Sequence, residues 1–361
     1  MKKAAIITAF EPSQFRGGIE TYTTQLVDLL RSRGVKTDIY HTGMIGEDHG
    51  FHNDYLGKLY LTGKKVISSG EAYDMVIANA FYGLGFFPPK TKTFNIFHLT
   101  HAGFAEEIKE IVPRRQYLEW KFLWGEFCES VSGFNRTKIA VSESVREELR
   151  RFYGFFDVSL IPNFVDTDVF VRCDRVSSRK KWGIPDEAFV GLYVGRWDIL
   201  KRCDITERVV REKPDVYWLV VLGTGSDETA VPRSENVKVI GQVEHKSMNT
   251  IYSAADFMLF PSSYEGFGYV IIEAMACELP VITSNVGIAK TLYKDEPFLD
   301  LLLPDFTVGS RGIVLSAIEK MEYLRSHRGR AEIMAAEGRR IIEQEFGKEE
   351  WKKRMLRVLE L

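Results

Sequence analysis

Cysteine is scarce in this chain. Four are present in 361 residues, Cys128, Cys173, Cys203 and Cys277, and none form a C-x-x-C pair. That spacing excludes a disulfide framework and a thiolate zinc site, and it predicts reduced thiols in a cytoplasmic protein. Charge of one sign is missing too: 50 acidic against 48 basic residues leave a formal net charge of −2. No global basic field is there to recruit nucleic acid. No apolar run approaches the roughly 18 residues of a membrane span. Lys2-Lys3 followed by Ala4-Ala5-Ile6-Ile7 has the charge of a signal peptide but too short an apolar run, and reads as a buried first strand. Tandem repeats and low-complexity tracts are absent as well.

What is present is a well-packed composition, 45% hydrophobic with 12% aromatic, in a chain too long for one ordinary core. Short apolar runs alternate with amphipathic stretches, the βαβα pattern of parallel sheets covered on both faces. Strands are expected at 4–10, 35–40, 73–79, 93–98 and 138–141, then at 190–194, 217–222, 237–240, 256–260 and 280–283. Ile19, Tyr22, Leu26, Leu29 and Leu30 recur at helical spacing until Gly34 stops them. A long helical tract is expected over 106–131, a helix capped by Ser142 runs to 151, and helices fill 310–361. The expected division is an N-terminal domain at 1–165, a linker at 166–187, a C-terminal domain at 188–345 and a final helix at 346–361 that packs back on the N-terminal domain.

The densest chemistry lies in Glu265-Gly-Phe-Gly-Tyr-Val-Ile-Ile-Glu273. An apolar strand empties through this loop into a helix, whose first N–H groups and dipole attract anions. Gly266 and Gly268 allow close backbone approach, Phe267 and Tyr269 lie between and beside them, and Glu265 and Glu273 supply acceptors for hydroxyls. Anion donors flanked by hydroxyl acceptors describe a sugar-phosphate site; the plainer alternative is a pair of ordinary solvated glutamates. After another strand, Arg196 offers a planar fork and Lys201 a point charge to phosphate oxygens. Gly17 and Gly18 sit between the first strand and its helix, where backbone can approach a phosphate. Gly223-Thr-Gly225 lacks full dinucleotide spacing. His98 and His101 close a strand and begin its loop, where a histidine can orient a sugar hydroxyl. Asp166-Thr-Asp168 has no accompanying carboxylate or histidine cluster and reads as structural, so no metal is expected. Tyr117, Trp120, Trp124 and Phe127 fall near one helical face, which suits packing on the sheet better than docking on a membrane.

These segments together resemble the retaining group 1 glycosyltransferases of the GT-B fold. The resemblance covers most of the chain. Its strongest part runs from Tyr252-Ser-Ala-Ala-Asp256 through Pro261-Ser-Ser-Tyr-Glu-Gly-Phe-Gly-Tyr269 and Glu273-Ala-Met-Ala276 to Leu279-Pro-Val281. Val194-Gly-Arg196 with Lys201, Ile161-Pro-Asn-Phe-Val-Asp166 and Val141-Ser-Glu-Ser144 follow the family's order. The resemblance implies two doubly wound, Rossmann-like parallel-sheet domains facing across a cleft, the first on the acceptor side and the second binding the sugar nucleotide. It implies that Glu273 holds the ribose and that Arg196 and Lys201 grip the diphosphate. Glu265 and the backbone of Gly266–Tyr269 position the donor sugar, Gly17 and Gly18 close over it, and His98, with His101 as the alternative, lies near the transferred sugar.

Three positions depart from the family pattern. Glu278 stands where the family has a helix-ending glycine, so the turn is expected to close differently. Asn285-Val-Gly-Ile-Ala-Lys290 lacks the usual acidic residue, and Phe164 replaces a glycine. The expected activity is metal-independent, retaining transfer from a UDP- or GDP-sugar to a glycan, lipid-linked or small-molecule acceptor, without a cofactor. Its expected setting is cell-envelope glycan biosynthesis in the cytoplasm, with weak peripheral contact at the inner face of the membrane left open. Oligomeric state is not specified. The competing readings are a sugar-nucleotide epimerase on the same fold and a sugar-nucleotide-binding protein without catalysis.

Overall fold

The computed structural model describes residues 1–12, 18–47, 53–87 and 91–361. The chain divides into two compact units, one formed by Met1–Asn163 with Lys352–Leu361 and the other by Phe164–Trp351.

The first unit is built on six strands, β1 (Lys3–Thr8), β2 (Lys36–His41), β3 (Met75–Asn79), β4 (Lys92–Phe97), β5 (Thr137–Ala140) and β6 (Val158–Leu160). Their order is β2-β1-β3-β4-β5-β6, and every pairing is parallel. Five apolar or small residues of β1 and all of β3 are buried, which is why those runs are continuous rather than alternating. The chain leaves β1 toward β2 and returns on the other side with β3. Ligands bind at such a switch point, outside the strands' carboxyl ends.

The second unit has five strands, β7 (Val190–Gly195), β8 (Tyr217–Leu222), β9 (Val237–Ile240), β10 (Phe257–Phe260) and β11 (Val281–Thr283). The order is β11-β10-β7-β8-β9, again all parallel. Here the switch point falls between β7 and β10. The two loops carrying the conspicuous charges, 195–202 and 261–268, leave the sheet side by side.

Several local expectations are corrected. The tract 106–131 is not one helix. Helix His101–Ile108 ends before Pro113, which lacks an N–H to continue the ladder, and the chain resumes as helix Arg114–Leu118 and a π-helix, Glu119–Glu129. Helix Asp54–Ser68, with Asn53 Oδ1 accepting from Leu56 N at 3.0 Å, was not foreseen. Neither was the short strand β6. Residues 166–187 pack within the second unit. Asp174 caps helix Arg175–Trp182, and the buried Arg179 pairs with Asp256 at 2.9 Å. Asp166 Oδ1 accepts from Asp168 N at 3.1 Å, a local turn contact.

The turn at Glu278 does not close differently. Glu278 adopts φ +56° in the left-handed region, and Leu279 N donates to Ala274 O at 2.9 Å. A side chain thus occupies a conformation that favours glycine. The Arg172 guanidinium holds the Glu278 carboxylate at 2.9 Å.

Candidate active site

In the second unit, β7 delivers the chain to Gly195, whose carbonyl accepts from Gly223 N at 2.9 Å. The loop is then pinned from inside: the buried Tyr193 hydroxyl donates to Arg196 O at 2.5 Å, and Lys201 N donates to Asp198 Oδ1 at 3.0 Å. Desolvation pushes the Tyr193 hydroxyl well above its ordinary pKa, which keeps it a donor.

The loop after β10 fastens onto this one. Leu200 O accepts from Ser263 N at 2.8 Å, from Ser263 Oγ at 3.1 Å and from Ser262 Oγ at 3.2 Å. This stitching brings Lys201 and Glu265 together as an ion pair whose side chains are only 18% and 13% exposed. The ammonium also lies 5.5 Å from the centroid of the Phe260 ring. Such a partly desolvated cation acts on an anion far more strongly than a surface lysine does.

Past Glu265, Gly268 takes φ +91° and opens helix Tyr269–Ala276 without a side-chain cap. The β11 loop braces this corner, because Ile288 N donates to Phe267 O at 2.7 Å. Gly287 is required there: its φ is +52°, and a Cβ would stand 2.3 Å from Phe267 O. Glu273, farther along the same helix, is buried. Its Oε2 accepts from the Tyr252 hydroxyl at 2.8 Å, and its Oε1 meets His245 Nε2 at 3.0 Å. Tyr252 is fully buried, and desolvation, reinforced by Glu273, raises its hydroxyl well above the ordinary range.

The structure therefore joins Lys201, Glu265, Phe267 and Gly268 at one corner of unit 2, with Gly266, Tyr269 and Glu273 on the same loop and helix. Arg196 lies on the shared loop but turns to Asp198 at 3.2 Å and is half exposed. His245 was not singled out from the sequence; its only signal is a titratable side chain just past β9, at the ligand edge of the sheet.

In the first unit, Gly18 begins helix Gly18–Ser32, while Gly17 lies outside the described residues. His98 follows β4 directly, and its Nε2 sits 2.9 Å from Asn79 Oδ1. Asn79 Nδ2 donates to Thr8 Oγ1 at 3.1 Å and Thr23 Oγ1 at 3.0 Å. Oδ1 is therefore the acceptor, and His98 carries its proton on Nε2. Burial pushes the imidazole down to about 3, so it is neutral at physiological pH. The Tyr22 ring packs edge-on against it at 4.8 Å.

His101 has a different environment. Its Nδ1 lies 2.9 Å from Glu129 Oε1, and its backbone N–H donates to Glu129 Oε2 at 3.0 Å. Glu129 is wholly buried and also accepts from Tyr153 at 2.5 Å. Both histidines line a cavity of about 380 Å³, walled chiefly by Tyr55, Phe81, Trp120 and Trp124. Trp124 is buried in the core against β1 and β3, and Trp120 packs on the same cluster, as expected of a helix lying on its sheet; both also border the cavity, while Phe127 is more than half exposed.

Among the described residues, no group of three or more His, Cys, Asp or Glu side chains is placed to hold a metal ion. Among them also, no helix is long and apolar enough to cross a membrane.

Two family models match in succession. Residues 16–169 match Glycosyltransferase Family 4, and residues 174–297 match Glycosyl transferases group 1. A D-inositol 3-phosphate glycosyltransferase of Xylanimonas cellulosilytica is 30% identical over 187 residues, covering 46% of this chain and 45% of that protein. The chain thus spans less than half the length of that curated relative. Among solved structures, a sucrose-phosphate synthase from Thermosynechococcus elongatus superposes with a TM-score of 0.78 at 22% identity, over 100% of this chain and 98% of the other. Anabaena HepE in complex with UDP-glucose gives 0.73 at 17% identity, over the whole of both chains.

Proposed function

Because this chain belongs to the group 1 glycosyltransferases of the GT-B fold, we propose that it transfers a sugar from a nucleoside-diphosphate sugar to an acceptor hydroxyl. The observation that carries this reading is the Lys201–Glu265 pair at the β7/β10 switch point, beside the helix opened by Gly268. An anion seated at that helix start meets a partly buried ammonium held in place by a carboxylate. Glu273 is fixed by Tyr252 through one oxygen, and its other oxygen suits a ribose hydroxyl once the exposed His245 ring yields.

In the proposed reaction, the bond between the anomeric carbon and the diphosphate oxygen breaks through an oxocarbenium-like state. The acceptor oxygen bonds to the same face of that carbon, so configuration is retained, and its proton passes to the departing diphosphate. Lys201, Arg196 and the helix start offset the negative charge that grows on the leaving group, so the step needs no metal. Glu265 positions the donor sugar. The donor is a UDP- or GDP-sugar. The UDP-glucose bound by HepE makes UDP-sugars the first to try. The acceptor is a glycan, a lipid-linked sugar or a small molecule, met in the cytoplasm during cell-envelope glycan assembly.

The test is incubation of the full chain with a panel of UDP- and GDP-sugars, with and without candidate acceptors, followed by nucleotide release and by NMR of the anomeric product. Acceptor-dependent release with retained configuration is expected. An isomerised nucleotide sugar formed without acceptor would mean an epimerase instead. Binding without turnover would mean a protein that only holds the donor.

A further inference from the structure

We infer that Arg202 is a positioning residue for the site in the second unit: its guanidinium ties down the left-handed corner that ends loop 195–202, and so keeps the Lys201 ammonium against Glu265. This rests on the glycosyltransferase reading only in taking Lys201 as the cation for the diphosphate. The tie itself is argued from its own contacts.

Arg202 follows Lys201 directly and stands at the start of helix Cys203–Glu212 with φ +50° and ψ +48°. A residue with a Cβ is strained there, and such strain persists only where the surroundings over-determine it. The corner also fixes its neighbour. Arg202 N donates to Ile199 O at 3.1 Å, and Arg202 O accepts from Ile205 N at 3.0 Å, so loop and helix join at this residue. In the ordinary right-handed conformation the chain would leave the loop in another direction and draw Lys201 away from Glu265.

The side chain supplies what holds the corner. Its Nε and Nη2 donate to the two carboxylate oxygens of Asp204 at 2.9 and 3.0 Å, and Nη2 also donates to Ser310 Oγ at 2.9 Å. The guanidinium lies 4.7 Å from the centroid of the Phe306 ring, and the side chain is 15% exposed. A planar fork satisfies a carboxylate, a hydroxyl and an aromatic face together, which a lysine at this position would not do.

The far end of the tie is firm. Ser310 lies at the start of helix Gly309–Ser326, which packs alongside helix Cys203–Glu212. Beyond that second helix, Lys213 pairs with Glu322 of the first at 2.5 Å. The loop that carries Lys201 is thus moored to a pair of helices and not only to the neighbouring loop.

Glycine would take the same φ without strain, so the backbone alone does not call for an arginine. What a glycine lacks is the mooring. A cation that stabilises charge on a leaving group acts best when it is already in place and has no need to reorganise.

The experiment compares Arg202→Gly, Lys201→Ala, the double variant and Ser310→Ala in the full chain. One readout is the Lys201 ammonium signal in proton–nitrogen NMR spectra, assigned by its loss in Lys201→Ala; the other is UDP affinity by calorimetry. In the parent chain that signal is expected to be resolved and protected by the Glu265 pair. Arg202→Gly should broaden it as in exposed lysines and weaken UDP binding at least fivefold, yet add less than a twofold loss in the Lys201→Ala background. Ser310→Ala should move both readouts the same way, with at least a twofold loss of UDP affinity. An unprotected Lys201 signal in the parent, or an unchanged one in Arg202→Gly that is folded by circular dichroism, would overturn the assignment. So would an equal loss of UDP affinity with and without Lys201, which is what a purely structural residue produces. If Arg202→Gly does not fold, Ser310→Ala decides through the Lys201 signal. Failure of the parent chain to bind UDP would count against the donor reading instead, and the Lys201 signal would still decide this one.

Discussion

The Tyr252 hydroxyl donates to Glu273 Oε2 at 2.8 Å from a fully buried position, while His245 reaches Oε1 at 3.0 Å from an exposed one. The two contacts therefore play different parts. Tyr252 belongs to the core and orients the carboxylate, whereas His245 sits where an incoming hydroxyl would compete with it. Tyr252→Phe should weaken UDP binding about tenfold, as expected for a lost hydrogen bond to a charged group worth about 1.5 kcal/mol. His245→Ala should leave UDP binding within twofold or tighten it. Calorimetry on both variants decides; equal weakening would mean that His245 orients Glu273 as much as Tyr252 does.

Lys201 and Arg196 share a loop, but only Lys201 is drawn into a partly buried pair. Lys201→Ala should lower kcat by at least tenfold, from the loss of about 1.5–3 kcal/mol of charge stabilisation. Arg196→Ala should cost less. Steady-state kinetics with the donor found in the panel provide the comparison. Equal losses would mean that Arg196 leaves Asp198 to join the diphosphate.

His98 predicts a pH dependence of stability. Its folded-state pKa is lowered to about 3 from the ordinary 6.5, so the unfolded chain binds the proton more readily between those values. Stability is present above pH 6.5 and is lost as pH falls through the window. By pH 5 the loss from this group is about 2 kcal/mol. His98→Gln should remove that part of the acid sensitivity, making the fall in urea midpoint between pH 7 and pH 5 shallower than in the parent chain. Parallel slopes would show that the buried ring does not govern it.

Glu278 holds a left-handed conformation at a helix end where glycine is favoured. Glu278→Gly relieves that strain and gives up the partly exposed Arg172 pair, for a net gain of about 1 kcal/mol. The urea midpoint of the transition involving unit 2 should rise. An unchanged or lower midpoint would indicate that the ion pair outweighs the strain.

Much of this architecture is legible in the chain alone. Continuous apolar runs mark the central strands, Ser142 announces the helix that it caps, and the glycines of 265–268 mark a loop that must turn sharply. These signals are local, resting on side-chain period, capping chemistry and positive φ. Other features leave no local trace. Helix Asp54–Ser68 shows only the modest cap Asn53, and Glu129 looks like any glutamate in a helical tract until the fold buries it beneath His101. The two histidines are equal candidates in the sequence because their difference lies in partners distant along the chain, Asn79 for one and Glu129 for the other.

The sequence by itself determined the element types, the two parallel sheets and the loops that carry charge at the strand ends. Those follow from backbone geometry and residue period, which act over a few positions. Only tertiary structure decided that Lys201 meets Glu265 while Arg196 turns outward, that Tyr252 locks Glu273, and that Trp120 and Trp124 border a cavity as well as the core. Partner choice and desolvation depend on which elements pack together, and that is a property of the whole fold rather than of any segment.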